Sequence, residues 1–241
     1  DLKKIIFSFL MLISFFSIFF IYNLIFFKNR NKNFFYEDYH LLLYLVILIT
    51  IFLLFFSYNN NFINLIFLIF SSISNIGISL DNEYNNLYFI FLLLVMIGGS
   101  FFSTSSGLRL IRIYSLIKFS FNQILSFSKP RNIFMNRLIF SKTNFEVEEI
   151  NKYFLSIIIF IISLLALTSL MSFSGINFEE CIKISILTLM NTVNSSAYGI
   201  AEFDFQNIHY FAKYSLILFM IIGRIELLTL LLIIKKYLFK N

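Results

Sequence analysis

Long apolar runs alternate with short polar connections along the chain. A helix that crosses a bilayer needs about 20 apolar residues. Four runs meet this length: Ile5–Phe27, Leu41–Phe56, Leu87–Ile97 continuing past a polar break to Ile117, and Tyr153–Phe173. A fifth run, Tyr214–Ile234, is interrupted by Gly223, Arg224 and Glu226. Two shorter runs, Phe62–Ser72 and Phe178–Met190, are typical of helices that enter a membrane and return to the same side.

The basic residues predict how these runs are oriented, because cytoplasmic loops carry an excess of Lys and Arg. If Lys28–Asn33 is cytoplasmic, the next cytoplasmic stretch is Arg109–Lys152, which holds eight basic residues. The opposite stretch, Ser57–Asn86, holds none. This bias is kept only if both short runs are re-entrant from the outer side.

The order of runs predicts an internal repeat of helix, re-entrant helix, polar turn and helix, from about Asp38 to Phe119 and from about Ile150 to Asn241. The fold class is therefore an all-α integral membrane protein with two such repeats and one preceding helix. We expect residues 1–33 to hold the preceding helix, 34–119 the first repeat, 120–149 a cytoplasmic linker and 150–241 the second repeat.

Composition and charge narrow the classes of function. Hydrophobic residues make up 59% of the chain and charged residues 13%, against about 25% charged in soluble domains. The charged residues behind the net charge of +6 lie between the apolar runs and form no basic stripe. The sequence therefore predicts no nucleic acid partner. Cys181 is the one cysteine, and His40 and His209 are expected to be solvated near the membrane interfaces. No enzyme motif or cofactor motif is present.

Each re-entrant run ends in a small polar turn at membrane depth. We name Ser71–Ser79 the first polar turn and Leu189–Gly199 the second polar turn. Backbone without helical hydrogen bonds is tolerated at this depth only inside protein or beside water, and its carbonyls can replace the hydration shell of a cation. An ordinary exposed loop is the alternative, although two turns in matching positions favour the cation site.

Two other features lie within the long runs. The segment Gly98–Gly107, here named the central loop, places three glycines and several hydroxyls where they would break a helix, either as a pore-facing loop or as a simple kink. Arg224 lies in the middle of the last run, where a charge costs about 2.5–3.5 kcal/mol unless it meets water or a partner. Arg224 is expected to face either a pore or an acidic group elsewhere in the fold. Glu226 is not expected to pair with it, because side chains two positions apart lie on different faces of a helix.

These segments resemble the TrkH/KtrB family of potassium-uptake membrane subunits. That family builds a pore from four joined repeats, and its third repeat carries a stretch close to G-G-x-x-G-S-T-G-G-G-[I/L]-K-V-x-R. Residues 98–112 read GGSFFSTSSGLRLIR in the same register. The family also has a Gly-Arg pair in its last helix, and residues 220–231 read MIIGRIELLTLL.

The resemblance implies a role for each segment. The third filter segment would be Ser74, Asn75, Ile76 and Gly77, and the fourth would be Thr192, Val193, Asn194 and Ser195. Potassium would bind at their backbone carbonyls as the transported substrate. The gate would comprise Gly98, Gly99, Phe102, Ser103, Thr104, Ser105, Ser106, Gly107 and Arg224.

The sequence also departs from the family pattern. Phe102, Ser105 and Ser106 replace glycines of the central loop, and Arg109 replaces a lysine. The expected glycine of the fourth filter falls at Val193 or at the next residue. A non-conducting or relaxed-selectivity subunit is therefore an alternative, and an unrelated secondary transporter with broken helices is a third.

The resemblance implies a setting as well. It predicts a multi-pass protein of the bacterial inner membrane, in contact with lipid and forming a homodimer. A cytoplasmic nucleotide-binding regulatory ring would dock near the basic segment 118–152. The chain begins at Asp1, and the first apolar run begins at Ile5. We therefore expect a longer protein to supply the remaining pore repeats.

Overall fold

The computed structural model describes residues 2–26, 36–56, 62–78, 87–100, 103, 105–128, 147–193, 196–200, 203, 205–206 and 208–225. The helices in this part of the chain are α1 (Leu2–Phe15), α2 (Ile18–Phe26), α3 (Tyr36–Phe56), α4 (Phe62–Ile73), α5 (Tyr88–Met96), α6 (Leu110–Ser128), α7 (Val147–Ser172), α8 (Phe178–Leu189) and α9 (Tyr210–Ile225). Two short strands, β1 (Ile97–Gly98) and β2 (Leu108–Arg109), and a 3-10 turn at Ser196–Tyr198 complete the elements.

The structure confirms the all-α membrane fold. Within the described residues, Glu37–Leu54 of α3 and Glu148–Ser172 of α7 are long and apolar enough to cross a membrane. The two short apolar runs form the 12-residue helices α4 and α8, which are too short to span. The last run is helical through Gly223 and Arg224 as far as Ile225, and its remainder lies outside the described residues.

The prediction of one continuous helix over Ile5–Phe27 is wrong. The helix is broken after Phe15, and α2 begins at Ile18. Ser17 starts the new helix, because its Oγ accepts a hydrogen bond from the Phe20 backbone N–H (3.1 Å) in the usual manner of an N-cap serine. A single hydroxyl in an apolar run gave no reason to expect a break, and its partner Asp38 is distant in sequence.

The two repeats have the same spacing from the end of the spanning helix to the end of the re-entrant helix. Helices α3 and α7 end at Phe56 and Ser172, helices α4 and α8 begin at Phe62 and Phe178, and they end at Ile73 and Leu189. Each of these bounds in the second repeat lies 116 residues after its counterpart in the first. We use this 116-residue spacing to match positions between the repeats.

The core forms where the re-entrant helices are enclosed. Helix α4 packs against α1 and α5, and α8 packs against α7, α9 and α5. The side chains of Phe91, Val95, Leu187 and Tyr198 are almost fully buried there. Large apolar side chains such as Leu54 and Leu165 are exposed on the spanning helices α3 and α7, as expected for a surface that contacts lipid.

The solvated position predicted for His40 is wrong. Its side chain is 4% exposed, and its ring lies 5.1 Å from the ring of Tyr114 on α6. His40 is in the second turn of α3, so packing of α6 against this end of the helix covers it. His209 is exposed, as expected.

Candidate functional site

The first polar turn closes helix α4 with a left-handed residue. Asn75 has φ 60°, a conformation that Asn adopts more readily than most residues. The Ile76 and Gly77 N–H groups both donate to the Ser71 carbonyl, at 3.1 and 3.3 Å. Gly77 is also left-handed, with φ 79°, so two of these three residues have positive φ.

The second polar turn repeats the beginning of this geometry. Asn191 has φ 53° and lies 116 residues after Asn75. The Thr192 N–H donates to the Leu187 carbonyl (2.9 Å), as the Ile76 N–H does to Ser71. The counterpart of Ser74–Gly77 is therefore Met190–Val193, which begins two residues before the predicted segment.

The same spacing places Val193 at the position of Gly77. Among the described residues the non-glycine residues with positive φ are Asn75 and Asn191, so Val193 does not adopt the left-handed backbone of Gly77. Its side chain is 60% exposed. The two turns thus share their first left-handed residue and differ at the second.

The two polar turns lie side by side. The Val193 N–H donates to the Ile76 carbonyl (3.3 Å). A Cβ added to Gly77 would lie 2.4 Å from the Val193 carbonyl oxygen and 2.6 Å from Thr192 Cγ2. Gly77 is therefore required both by its backbone conformation and by the closeness of the second turn.

Several carbonyl oxygens of the turns receive no hydrogen bond from any residue that the structure describes. Within the described part of the chain, no donor bonds to the carbonyls of Ser74, Asn75 and Gly77 in the first turn, or of Asn191, Thr192 and Val193 in the second. Buried carbonyls are normally paired, with protein or with water. These carbonyls are free to contact water or a cation.

The central loop is closed at its base by two short parallel strands. Ile97 pairs with Leu108, and Gly98 pairs with Arg109. A Cβ on Gly98 would lie 2.5 Å from the Ser106 carbonyl oxygen. The loop therefore returns to its starting point, α5 ends at Met96, and α6 begins afresh at Leu110.

Hydrogen bonds inside the central loop hold the shape of its described residues. The Gly99 N–H donates to Ser105 Oγ (2.9 Å), and Ser103 Oγ donates to the Ser100 carbonyl (2.8 Å). The Arg109 guanidinium donates to the same Ser100 carbonyl. The replacement of glycines by serines thus supplies hydroxyls that tie the loop together, at least at Ser105.

The first polar turn rests on the central loop. Asn75 Nδ2 donates to the Ser106 carbonyl (2.8 Å). In the second repeat, Asn191 Nδ2 donates to the Met220 carbonyl of α9 (3.0 Å). In each repeat, then, the left-handed asparagine anchors its turn to the helix or loop that follows. Sequence reasoning placed Asn75 in a filter segment but missed this anchoring role.

Arg224 and the central loop border the same cavity. This space of about 250 Å³ is lined by Ser103, Ser105, Ser106, Gly107, Leu108, Arg109, Arg112, Ser156, Phe160, Leu189, Met190, Gly223 and Arg224. Leu189 and Met190 end the helix that carries the second turn. Arg224 therefore lies across one cavity from both the central loop and the end of helix α8. Gly223 permits the approach, because a Cβ there would lie 2.1 Å from the Leu189 carbonyl oxygen.

The broken leading helix holds the other side of the central loop. The Ser100 N–H donates to the Phe15 carbonyl (3.2 Å), which the break frees from its helix. The break is fixed by Asp38, whose carboxylate accepts from the Ser17 N–H (2.9 Å) and from Ser17 Oγ (2.6 Å). Asp38 is 1% exposed. The sequence did not single out this pair.

We expect Asp38→Asn to lower the stability of the purified protein by about 1–3 kcal/mol, the usual cost of leaving buried donors poorly paired. The amide offers one oxygen to two Ser17 donors and turns an N–H₂ group towards one of them. The measurement is the apparent melting temperature in detergent. Thr50→Ala, on the same helix, removes an exposed local bond to the Ile47 carbonyl and should change it little. An equal loss in both variants would contradict this role for Asp38.

Four predicted site residues lie outside the described residues: Phe102 and Thr104 of the central loop, and Asn194 and Ser195 of the second polar turn. Glu226 lies outside them too. Among the described residues no group of three or more His, Cys, Asp or Glu side chains could hold a metal ion.

Comparison with known proteins identifies the fold. No protein-family profile matches the chain, and no curated protein matches it in sequence. Among solved structures, the chain is similar to the crystal structure of the potassium transporter TrkH from Vibrio parahaemolyticus, with a TM-score of 0.58 and 20% sequence identity. The match covers 83% of this chain and 44% of that chain. The chain is a membrane protein with a TrkH-like fold.

Proposed function

We propose that this chain forms part of a potassium-conducting pore, in which the two polar turns are filter segments and the central loop is the gate. The observation that carries the proposal is the contact between the two turns, whose backbones adjoin at Gly77 and Val193 and carry carbonyls without donors among the described residues. Rings of such carbonyls replace the hydration shell of a cation.

The proposed pore needs more segments than this chain supplies. Four filter segments surround one ion path in the family that the chain resembles, and two are present here. The match to less than half of the TrkH chain supports this arrangement. We therefore propose that the remaining repeats of a longer protein complete the ring, in a multi-pass protein of the bacterial inner membrane.

A subunit of relaxed selectivity, or one that does not conduct, is the second candidate function. It is favoured by Val193, which takes the place of Gly77 in the second repeat without its left-handed backbone. A turn with a different path presents its carbonyls differently, so discrimination between potassium and sodium would fall. Comparing the uptake of the two ions separates the candidates.

The partners proposed from the resemblance are a second copy of the protein and a cytoplasmic nucleotide-binding ring. The described part of the 118–152 segment includes Lys118 in the middle of α6 and Lys152 in the second turn of α7. A binding assay with that ring tests the site, and neutralising Arg131 and Arg137 should weaken binding. Binding that survives this change would place the ring elsewhere.

We expect Arg224→Ala to raise the rate of potassium uptake severalfold. Arg224 borders the cavity beside the central loop and the end of α8, and a fixed positive charge there repels a cation. Uptake is measured at equal expression in a potassium-uptake-deficient host that carries the full-length gene product. The control is Lys3→Ala, which removes a positive charge from an exposed residue of α1 that does not line the cavity. Unchanged uptake in Arg224→Ala would remove it from the conducting path.

The function itself is tested in the same host. The wild-type gene product should restore growth at low external potassium, and sodium uptake measured alongside distinguishes a selective from a relaxed pore. A well-expressed protein that restores no uptake of either ion would contradict conduction and favour the non-conducting alternative.

A further inference from the structure

A buried lysine lies behind the second polar turn. Lys183 is in the middle of helix α8 and is 8% exposed. An ammonium in such a membrane segment is costly, by about 2.5–3.5 kcal/mol on insertion scales, unless it is paired. Lys183 was not singled out from the sequence.

The ammonium of Lys183 has three partners of different kinds. It pairs with the Glu179 carboxylate one helical turn earlier (2.6 Å) and lies 4.2 Å from the centre of the Tyr88 ring. It also donates to the Gly199 carbonyl at 3.5 Å. The Tyr88 hydroxyl reaches Glu179 Oε1 at 3.4 Å, which closes the cluster.

These partners come from three separate parts of the fold. Tyr88 begins helix α5 of the first repeat, Glu179 lies in the first turn of α8, and Gly199 lies at the end of the second polar turn. Gly199 has φ 71°, and a Cβ there would lie 3.1 Å from Lys183 Nζ. We name Ser196–Gly199 the returning limb of the second polar turn. Lys183 thus connects this limb to residues of both repeats.

A neighbouring contact supports the same link. The hydroxyl of Tyr198, which is 1% exposed, donates to Ser72 Oγ of helix α4 at 3.2 Å. The returning limb of the second turn is therefore fixed to the first repeat at two adjacent residues.

The first repeat has no charge at this position. The 116-residue spacing matches Lys183 with Phe67, an apolar residue that is 4% exposed. An aromatic ring therefore occupies this position in the first repeat, and a charged side chain occupies it in the second. It occurs in the repeat whose turn has Val193 where the first has Gly77.

We propose that Lys183 is a positioning residue that holds the returning limb of the second polar turn and thereby sets the preference of the site for potassium over sodium. The proposal rests on the proposed function. Because the second turn lacks the left-handed glycine of the first, the tether at Gly199 restrains a backbone that would otherwise settle differently. Discrimination between similar cations depends on where the carbonyls are held.

The test is potassium and sodium uptake by the full-length gene product, together with the shift in melting temperature of the purified protein on adding each ion. Lys183→Met should reduce the ratio of apparent potassium to sodium affinity about tenfold, as expected for the loss of one charge-assisted bond. Lys183→Arg, which keeps the charge, should retain most of the ratio. Glu179→Gln, which keeps the ammonium and weakens its anchor, should give an intermediate ratio.

The control is Lys4→Met, which removes one positive charge from a lysine that binds Asn64 Oδ1 at the start of α4 (2.7 Å) and touches neither turn. It should leave the ratio unchanged. If the wild-type protein transports and Glu179→Gln and Lys183→Met keep its ratio, the positioning role is overturned. If Lys183→Met does not accumulate, Glu179→Gln decides alone. A wild-type protein without transport or ion-dependent stabilisation would instead contradict the proposed function.

Discussion

We expect Gly77→Ala to abolish potassium uptake and to destabilise the protein. The methyl group would lie 2.4 Å from the Val193 carbonyl oxygen and 2.8 Å from its nitrogen, so the two polar turns would be forced apart. Overpacking of this kind costs about 1–3 kcal/mol, and the left-handed backbone adds about 1 kcal/mol for any residue with a Cβ. Uptake and apparent melting temperature measure the two effects.

Gly175→Ala is the matched control for this prediction. Gly175 is also left-handed, with φ 81°, and no atom lies within 4 Å of an added Cβ. Substitution of Gly175 therefore costs only the free energy of a left-handed backbone at a residue with a Cβ. It should leave uptake nearly intact. If Gly77→Ala and Gly175→Ala behave alike, the contact between the turns has no functional importance.

The second large effect is expected for Gly99→Ala in the central loop. An added Cβ would lie 2.2 Å from the Phe15 carbonyl oxygen and 2.6 Å from Ser105 Oγ. The first of these atoms is backbone and cannot rotate away, so the loop must move from the broken leading helix. We expect a loss of about 1–3 kcal/mol in stability and at least a tenfold change in uptake rate.

Ser105→Ala separates the clash from the loss of a hydrogen bond. It removes the oxygen that accepts from the Gly99 N–H and leaves space at Gly99, so the cost should be about 1 kcal/mol. A Gly99→Ala protein as stable and as active as Ser105→Ala would show that the loop does not depend on its contact with Phe15.

The lengths of the apolar runs and the positions of the basic residues predicted most of the helices. Both features are visible in the local sequence of a membrane segment. The lengths of α4 and α8 followed from the ends of two apolar runs, and the break before Leu110 followed from three glycines. The break at Ser17 was missed because its cause, Asp38, is 21 residues away and acts through a tertiary hydrogen bond.

Alignment of the two turns required the structure. From the sequence, the glycine position of the second turn fell at Val193 or one residue later, since both turns are short and chemically similar. Matching helix ends and the left-handed Asn75 and Asn191 pair Val193 with Gly77 between the two turns of this chain. The cluster around Lys183 was equally hidden, because Tyr88 and Gly199 meet it only through packing between repeats.

The central claim, that the adjoining polar turns line the path of a cation, is tested most directly by rubidium flux into liposomes that hold the purified full-length gene product. We predict flux down a rubidium gradient by the wild-type protein and by Gly175→Ala, competition by potassium, and loss of flux in Gly77→Ala reconstituted at equal density. Flux that is absent from the wild-type protein, or equal in Gly77→Ala and Gly175→Ala, would contradict the claim.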